Sequence, residues 1–307
     1  MHEQTTSSIW KGRIDHETDP MHFRNFQVVE HVHKDNPVFC DVGILGYAVD
    51  QGVELNQGRI GSSTGPNAIR QKFANMSYID KTIADFGNVS TREDSVEDVQ
   101  KEFAKIMKAT YDFSDIHFLL GGGHDISYAH YLGLKAIYPD KRIGVINIDA
   151  HFDLRTSREA NSGTGFKQIL DDDKDVGYLV LGIQPSGNTK HLFEVAKATN
   201  TEYVLATDIN ACAKGAIDHF VKEYDIIMLT ICLDVLDAGF APGVSAPCSF
   251  GLSPYQVDAM IQHIMQFNKT KHISIAEMNP KYDIDGRTAK LVAHLMYNIT
   301  NRNANMI

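Results

Sequence analysis

Residues 143–155 read IGVINIDAHFDLR, an apolar run that is followed at once by two aspartates and a histidine. The run at 143–148 is rich in Ile and too short for a typical helix, which favours a strand that is buried on both faces. Similar apolar runs occur at 42–47, 116–120, 178–182, 203–206, 226–231 and 272–276. We expect these strands to lie side by side in a parallel sheet.

Segments with helical periodicity separate these strands along the chain. They span 95–113, 126–138, 189–198, 215–224, 253–267 and 286–299. Ser95 with Asp98 three residues later, and Ser253 before Pro254, are typical helix starts. The alternation predicts an α/β fold in which helices cover both faces of one sheet. We expect a single domain over 1–307, with a less regular N-terminal segment at 1–40.

The composition excludes several classes of function. The chain has 307 residues, of which 43% are hydrophobic and 22% charged, as is ordinary for a globular protein. Lys and Arg number 29 against 39 Asp and Glu, and the formal net charge of −10 offers no basic field for nucleic acid. The sequence shows neither an apolar leader nor a stretch of roughly 18 apolar residues, so we expect no membrane segment. We therefore expect a cytoplasmic protein without a nucleic-acid or membrane partner.

The residues that follow the apolar runs carry the candidate chemistry, since ligands of open parallel sheets bind beyond the carboxyl ends of the strands. Asp149, His151 and Asp153 follow the run at 143–148. In an extended segment their alternate positions place all three side chains on one side. Two carboxylates beside a buried strand are costly unless a cation neutralises them. This segment therefore predicts a metal site.

Other strand ends add further candidate ligands. His124 follows the run at 116–120 through three glycines, and a phosphate-binding loop is disfavoured there because no Lys-Ser/Thr pair follows. Cys232 and Asp234 follow the run at 226–231, although Cys232 alone is also consistent with a core thiol. The set suits a pair of divalent ions, and its oxygen and imidazole donors favour Mn²⁺. The candidate ligands are His124, Asp149, His151, Asp153, Cys232 and Asp234.

Five motifs in this order resemble the ureohydrolase family of arginases, agmatinases and formimidoylglutamases. They read GRIGSSTGPNAIR (58–70), GGGHD (121–125), DAHFD (149–153), CLDVLDAGFAPGVSAP (232–247) and AEMNP (276–280). The resemblance implies a three-layer arginase-like α/β fold with an eight-stranded parallel sheet. It also implies two Mn²⁺ per subunit and a homo-oligomer.

At two positions the sequence departs from the common pattern of the family and resembles its formimidoylglutamase branch. Cys232 stands where the family commonly has Asp, and Ser162 stands where arginases and agmatinases carry a histidine. The stretches IWKGRID (9–15) and DGRTAKLVA (285–293) are similar to the same branch. The resemblance implies hydrolysis of N-formimidoyl-L-glutamate to glutamate and formamide, in histidine degradation.

The resemblance also suggests residue roles. Asp153 would shuttle a proton, and Glu277 would hold the cationic amidine of the substrate. A substrate with two carboxylates needs cationic or polar contacts, for which Arg155, Arg59, Arg287 and Ser162 are the candidates. A guanidino hydrolase acting on arginine or agmatine is the alternative enzyme. A catalytically silent metal-binding homologue is the alternative outside the enzyme class, and Cys232 and Ser162 are the reasons to consider it.

Overall fold

A single sheet forms the centre of the computed structural model, which describes residues 2–91 and 94–301. Within these residues the sheet has ten strands in the order β1-β4-β3-β5-β10-β9-β6-β7-β8, and β2 also pairs with β4. The strands are β1 (His2–Glu3), β2 (Val29–His31), β3 (Cys40–Ala48), β4 (Ile83–Ser90), β5 (Ser114–Gly121), β6 (Ile143–Ile148), β7 (Gly177–Ile183), β8 (Glu202–Leu205), β9 (Ile226–Cys232) and β10 (His272–Ala276). All pairings are parallel except that of β1 with β4.

Helices cover both faces of this sheet. They are α1 (Gln51–Leu55), α2 (Gly65–Ala74), α3 (Val96–Thr110), α4 (Ile126–Ile137), α5 (Gly165–Asp172), α6 (Lys190–Ala198), α7 (Ile209–Phe220), α8 (Pro254–Met265) and α9 (Arg287–Asn301). Phe118 and Leu120 of β5 pack into the core shared with α2, α7, α8 and α9, whereas Leu119 faces the core shared with α3 to α6. This alternation of side chains gives three layers and confirms the expected fold class.

Both expected helix starts are present. The Ser95 side chain accepts a hydrogen bond from the backbone N–H of Asp98 at the start of α3. Ser253 caps α8 in the same way through Gln256, with Pro254 in the first turn. No helix in the described part of the chain is both long and apolar enough to cross a membrane.

The strand count differs from the expected eight. Nine of the ten strands described pair in parallel, because the short strand β2 pairs with β4 in addition to the expected eight, and the short strand β1 pairs with β4 in the antiparallel direction. The sequence pattern also missed β4, because Asp85 interrupts its apolar run. Asp85 is fully buried, and it accepts hydrogen bonds from Arg70 at 2.9 Å, Trp10 at 2.7 Å and Thr5 at 2.6 Å. These contacts tie the N-terminal segment to the edge of the sheet.

The strand order brings the candidate ligands to one edge of the sheet. β5, β10, β9 and β6 are consecutive neighbours, although they come from distant parts of the chain. Ala276 of β10 pairs with Cys232 of β9, and Ile148 of β6 pairs with Ile231 of β9. The polar segments that follow these strands therefore begin at nearly the same level along the strand direction.

Candidate metal centre

Asp149 lies between two groups of candidate metal ligands. The ligand atoms of His124, Asp149 and Cys232 all lie within 4.8 Å of one another. Those of Asp149, His151 and Asp234 form a second such group. Because the groups share Asp149, the two groups of candidate ligands lie next to each other and are joined by one carboxylate.

Asp153 reaches this arrangement through His124. Its Oδ2 lies 3.1 Å from Nδ1 of His124, and Oδ2 of Asp149 lies 3.0 Å from the same nitrogen. Nδ1 of His151 similarly lies 3.2 Å from Oδ2 of Asp234. Both imidazoles thus direct Nδ1 toward carboxylates, in the orientation that a shared cation requires.

The local backbone differs from the expected extended segment. The His151 N–H donates to Oδ1 of Asp149 at 2.7 Å, and Asp153 adopts a left-handed φ of 49°. The amide of Asn188 accepts from the N–H of Phe152 and donates to the carbonyl of Ala150. A bend held by these hydrogen bonds therefore brings the three side chains together, whereas strand alternation was expected to do so.

Side chains behind the ligands hold their orientation. Nε2 of His124 lies 3.0 Å from Oγ1 of Thr230 on β9. The Asn147 amide donates to Oδ2 of Asp149 and to the hydroxyl of Tyr178, which in turn donates to the Phe152 carbonyl. Such contacts fix the ring and carboxylate positions of metal ligands.

The close packing of charges strongly perturbs the pKa values of the site. Burial lowers the pKa of His124, but hydrogen bonds to Asp149 and Asp153 outweigh this effect and raise it to about 10. The pKa of His151 rises to about 12 because the Asp234 charge and the Asp149 hydrogen bond likewise outweigh burial. Burial, reinforced by the charge of Asp149, raises the pKa of the Cys232 thiol. The cluster therefore strongly favours added positive charge.

The residues present fit divalent metal ions. Oδ1 of Asp234 is buried and has no hydrogen-bond partner in the described structure, so an acceptor is left available. Four carboxylate or thiol side chains and two imidazoles supply more donors than one ion needs. Carboxylate and imidazole donors suit Mn²⁺, whereas the Cys232 sulfur is a softer donor.

Glu277 stands at the rim of this cluster in a constrained conformation. Its φ is 71°, its N–H donates to the carbonyl of Gly122 at 2.8 Å, and its Oε1 accepts from the N–H of His124 at 3.1 Å. Burial and the nearby charge of Asp234 raise the pKa of Glu277 to about 8. A cation placed beside Glu277 would favour its charged form.

A cavity of about 310 Å³ opens above the candidate ligands. The expected site residues that line it are His124, His151, Asp153, Cys232, Asp234, Glu277, Arg59, Arg155 and Ser162. Asp149 is fully buried beneath them. Arg155 is exposed, and it also lines an adjoining outer groove. Ser162 is buried, and its hydroxyl accepts from the Asn56 side chain at 3.1 Å.

The other two expected arginines are held differently. The Arg59 side chain donates from Nε to the carbonyl of Ser245 at 2.9 Å and from Nη2 to the carbonyl of Val244, and it lies 4.0 Å from the ring centre of Tyr282. Its guanidinium therefore joins two loops of the cavity wall. Arg287 does not line the cavity, and its Nη1 donates to the carbonyl of Gly239 at 3.0 Å.

Sequence reasoning missed several residues of the cavity wall. These are Asn56, Gln57, Gly58, Gly187, Asn188, Leu192, Ser245 and Ala246. Ser245 and Ala246 lie inside the quoted motif at 232–247, and Gly58 begins the motif at 58–70, so their motifs were available signals. Asn188 follows no apolar run directly, and its contacts with the Asp149–Asp153 bend appear only in three dimensions.

Comparison with known proteins agrees with this geometry. The model of the arginase family matches residues 40–301. The chain belongs to the arginase family. Among curated arginase-family proteins it is 57% identical to the formimidoylglutamase of Macrococcus caseolyticus (strain JCSC5402), with 100% of each chain covered. It is 48% identical to the formimidoylglutamase of Staphylococcus aureus (strain MRSA252), over 97% of this chain and 99% of that protein.

Solved arginase-family structures share the fold. Formimidoylglutamase from Bacillus subtilis subsp. subtilis str. 168 matches with a TM-score of 0.79 and 21% identity, covering 91% of each chain. Trypanosoma cruzi formiminoglutamase with Mn²⁺ also matches with a TM-score of 0.79 and 21% identity, over 92% of this chain and 99% of that one.

Proposed function

We propose that this chain hydrolyses N-formimidoyl-L-glutamate to L-glutamate and formamide. The observation that carries the proposal is one cavity in which two ligand groups joined by Asp149 lie below the exposed guanidinium of Arg155. Full-length identity of 57% to a protein named formimidoylglutamase supports the same substrate. The reaction would serve histidine degradation, as the resemblance implies.

We assign two Mn²⁺ to this site, held by His124, Asp149 and Cys232 and by Asp149, His151 and Asp234, with Asp153 beside the first group. Three aspartates and a Cys232 thiolate would carry four negative charges, which balance two divalent ions. A thiol that coordinates a metal is deprotonated. When bound, such ions would lower the pKa of a water molecule and so supply a nucleophile near neutral pH.

Two carboxylates of the chain would act in the reaction, one in proton transfer and the other in binding the cationic amidine. Asp153 accepts a proton and delivers it to the departing nitrogen, which is general acid–base catalysis. Glu277 pairs with the amidinium of the substrate and orients its carbon. The left-handed backbone of Glu277 and its hydrogen bond to His124 hold the carboxylate toward the cavity.

The amidine of the proposed substrate suits a site with Ser162 in place of a histidine. A formimidoyl carbon carries two nitrogens, whereas a guanidinium carbon carries three. It is therefore the better electrophile and needs less help from a protonated imidazole. The acidic substrate also needs a local cation, because the protein carries a formal net charge of −10.

The decisive experiment measures products after loading the purified protein with Mn²⁺. We expect glutamate and formamide from N-formimidoyl-L-glutamate, loss of activity on chelation, and recovery when Mn²⁺ is restored. Asp149→Asn should abolish turnover, whereas Asp175→Asn at an exposed position should not. Urea released from arginine or agmatine, without formamide from formimidoylglutamate, would instead establish a guanidino hydrolase.

The resemblance also leads us to propose a homo-oligomer. Analytical ultracentrifugation of the metal-loaded protein would test this proposal. A single species with the 34.2 kDa mass of one chain would contradict it.

A further inference from the structure

One wall of the cavity forms where the end of α1 meets the loop around Ser162. The Asn56 amide donates from Nδ2 to Oγ of Ser162 at 3.1 Å. The N–H of Ser162 donates to the carbonyl of Gly52 in α1 at 3.0 Å. These two hydrogen bonds place the Asn56 amide on the cavity wall, at a position that no sequence motif singled out.

Gly163 allows Asn56 and Arg155 to approach the same point of the backbone. A Cβ atom at Gly163 would lie 2.9 Å from Cδ of Arg155 and 3.1 Å from Nδ2 of Asn56. Both distances are shorter than ordinary van der Waals contacts. Because Gly163 has no side chain, the Arg155 side chain and the Asn56 amide can both pack against it.

The guanidinium of Arg155 is available for a ligand. It forms no ion pair within residues 2–91 and 94–301, whereas Arg59 is hydrogen-bonded to loop carbonyls. Asn56 and Arg155 line both the metal cavity and the outer groove beside it, where Thr156, Ser157 and His191 also lie. The pair thus stands at the boundary between the inner and outer spaces.

We infer that Asn56 is a specificity-determining residue, which together with Arg155 binds the side-chain carboxylate of the substrate across Gly163. This inference rests on the proposed function. Five covalent bonds separate that carboxyl carbon from the amidine carbon, against three for the α-carboxyl carbon, so it reaches farther toward the mouth. Guanidinium and amide N–H groups both donate to carboxylate oxygens, and the charged hydrogen bonds are the stronger ones.

The test compares two substrates in the Mn²⁺-loaded enzyme. N-formimidoyl-L-norvaline replaces the side-chain carboxylate of N-formimidoyl-L-glutamate with a methyl group. In the Asn56→Ala variant we expect KM for the glutamate compound to rise about tenfold, as for the loss of a hydrogen bond to a charged group. We expect kcat to change less than twofold and KM for the norvaline compound to stay unchanged.

A second variant approaches the same pair without removing a polar group. The φ of Gly163 is not in the left-handed region, and the atoms nearest to an added methyl belong to side chains that can move. Gly163→Ala should therefore fold with an unchanged Tm, yet separate Asn56 from Arg155 and raise KM for the glutamate compound alone. Asn36→Ala, at an exposed position, is the matched control and should change neither KM.

The possible outcomes separate the inference from the proposed function. Equal increases of KM for both compounds would mean that Asn56 only supports Ser162, and would overturn the inference. If the wild type is active and neither Asn56→Ala nor Gly163→Ala changes KM for the glutamate compound, the inference is overturned while the proposed function stands. A wild-type enzyme that releases no formamide from formimidoylglutamate would overturn the proposed function, and the inference with it.

Discussion

Nε2 of His124 lies 3.0 Å from the hydroxyl oxygen of Thr230, a residue 106 positions later in the chain. When Nε2 donates its hydrogen to this hydroxyl, the lone pair of the neutral imidazole is on Nδ1. Nδ1 is the atom that faces Asp149 and Asp153. In this arrangement the Thr230 contact holds the tautomer in which His124 can bind a metal.

Replacing Thr230 should weaken metal binding without removing a ligand. In Thr230→Val we expect the affinity for Mn²⁺ to fall about tenfold or more, because the ring loses the contact that fixes its tautomer and orientation. Thr230→Ser keeps the hydroxyl and should bind like the wild type. Calorimetric titration of the metal-free proteins with Mn²⁺ measures both affinities, and equal affinities for the Val and Ser variants would contradict the assignment.

The Cys232→Asp substitution tests whether the thiol is a metal ligand. We expect Mn²⁺ affinity to rise, since a carboxylate oxygen suits this ion better than sulfur does. The preference for softer ions such as Cd²⁺ over Mn²⁺ should fall in the same variant. Metal analysis after dialysis against limiting Mn²⁺ gives the occupancy. Unchanged occupancy and unchanged metal preference would place Cys232 in the core instead.

Glu277→Gln should separate substrate activation from metal binding. The amide keeps an oxygen that can accept from His124, but it has no charge to pair with an amidinium. We expect kcat/KM for formimidoylglutamate to fall about a hundredfold or more, which is typical when one electrostatic contact to the reacting group is lost. Mn²⁺ content should stay unchanged, and Glu194→Gln on the exposed face of α6 serves as the control. Full turnover in Glu277→Gln would rule out this role.

Three buried histidines that do not line the cavity predict how stability depends on pH. His117, His130 and His272 lie near one another, with ring centres of His117 and His272 5.5 Å apart. Burial lowers the pKa of His117 and of His130 to about 3. In the unfolded chain these rings bind protons when the pH falls below their ordinary pKa of 6.5. The unfolded state then carries more protons than the folded state, so stability falls as pH drops from about 6.5 toward about 3.

His117→Phe should remove one of these contributions. From about pH 7.5 to about pH 5.5, each such histidine costs roughly 1.4 kcal/mol of unfolding free energy, because the unfolded form alone becomes protonated. The variant should therefore lose about 1.4 kcal/mol less than the wild type over this interval. Denaturant unfolding at both pH values measures the difference, and identical losses would show that His117 is protonated in the folded protein.

The sequence predicted the sheet where its strands are apolar and missed it where a strand carries a buried charge. The run at 143–148 was identified because its Ile and Val residues fill a strand that is buried along its whole length. β4 was missed because it contains the buried Asp85, whose partner Arg70 lies on a different element and comes into contact with it only when the chain folds. Charge within a strand is unfavourable unless a partner is present, and a one-dimensional pattern does not show the partner.

The sequence by itself determined which candidate ligands meet at one edge of the sheet. Asp149, Cys232 and Glu277 each follow an apolar run, and the carboxyl ends of parallel strands share one edge, so their convergence follows from the strand pattern. The tertiary structure decided how these groups are arranged. It joined two ligand groups through Asp149, and it bent the chain at His151 where alternation was expected.

The sequence favoured Arg155 because it lies next to the motif at 149–153, and only the tertiary structure showed which candidate arginines already have partners. Arg59 is committed to Ser245, which lies 186 positions away, whereas Arg155 stays exposed beside Asn56 and Gly163. All three candidate arginines carry the same charge, and a sequence motif cannot show which guanidinium already has partners. Hydrogen bonds to loops from distant parts of the chain determine this availability, because they form only after the sheet has brought those loops together.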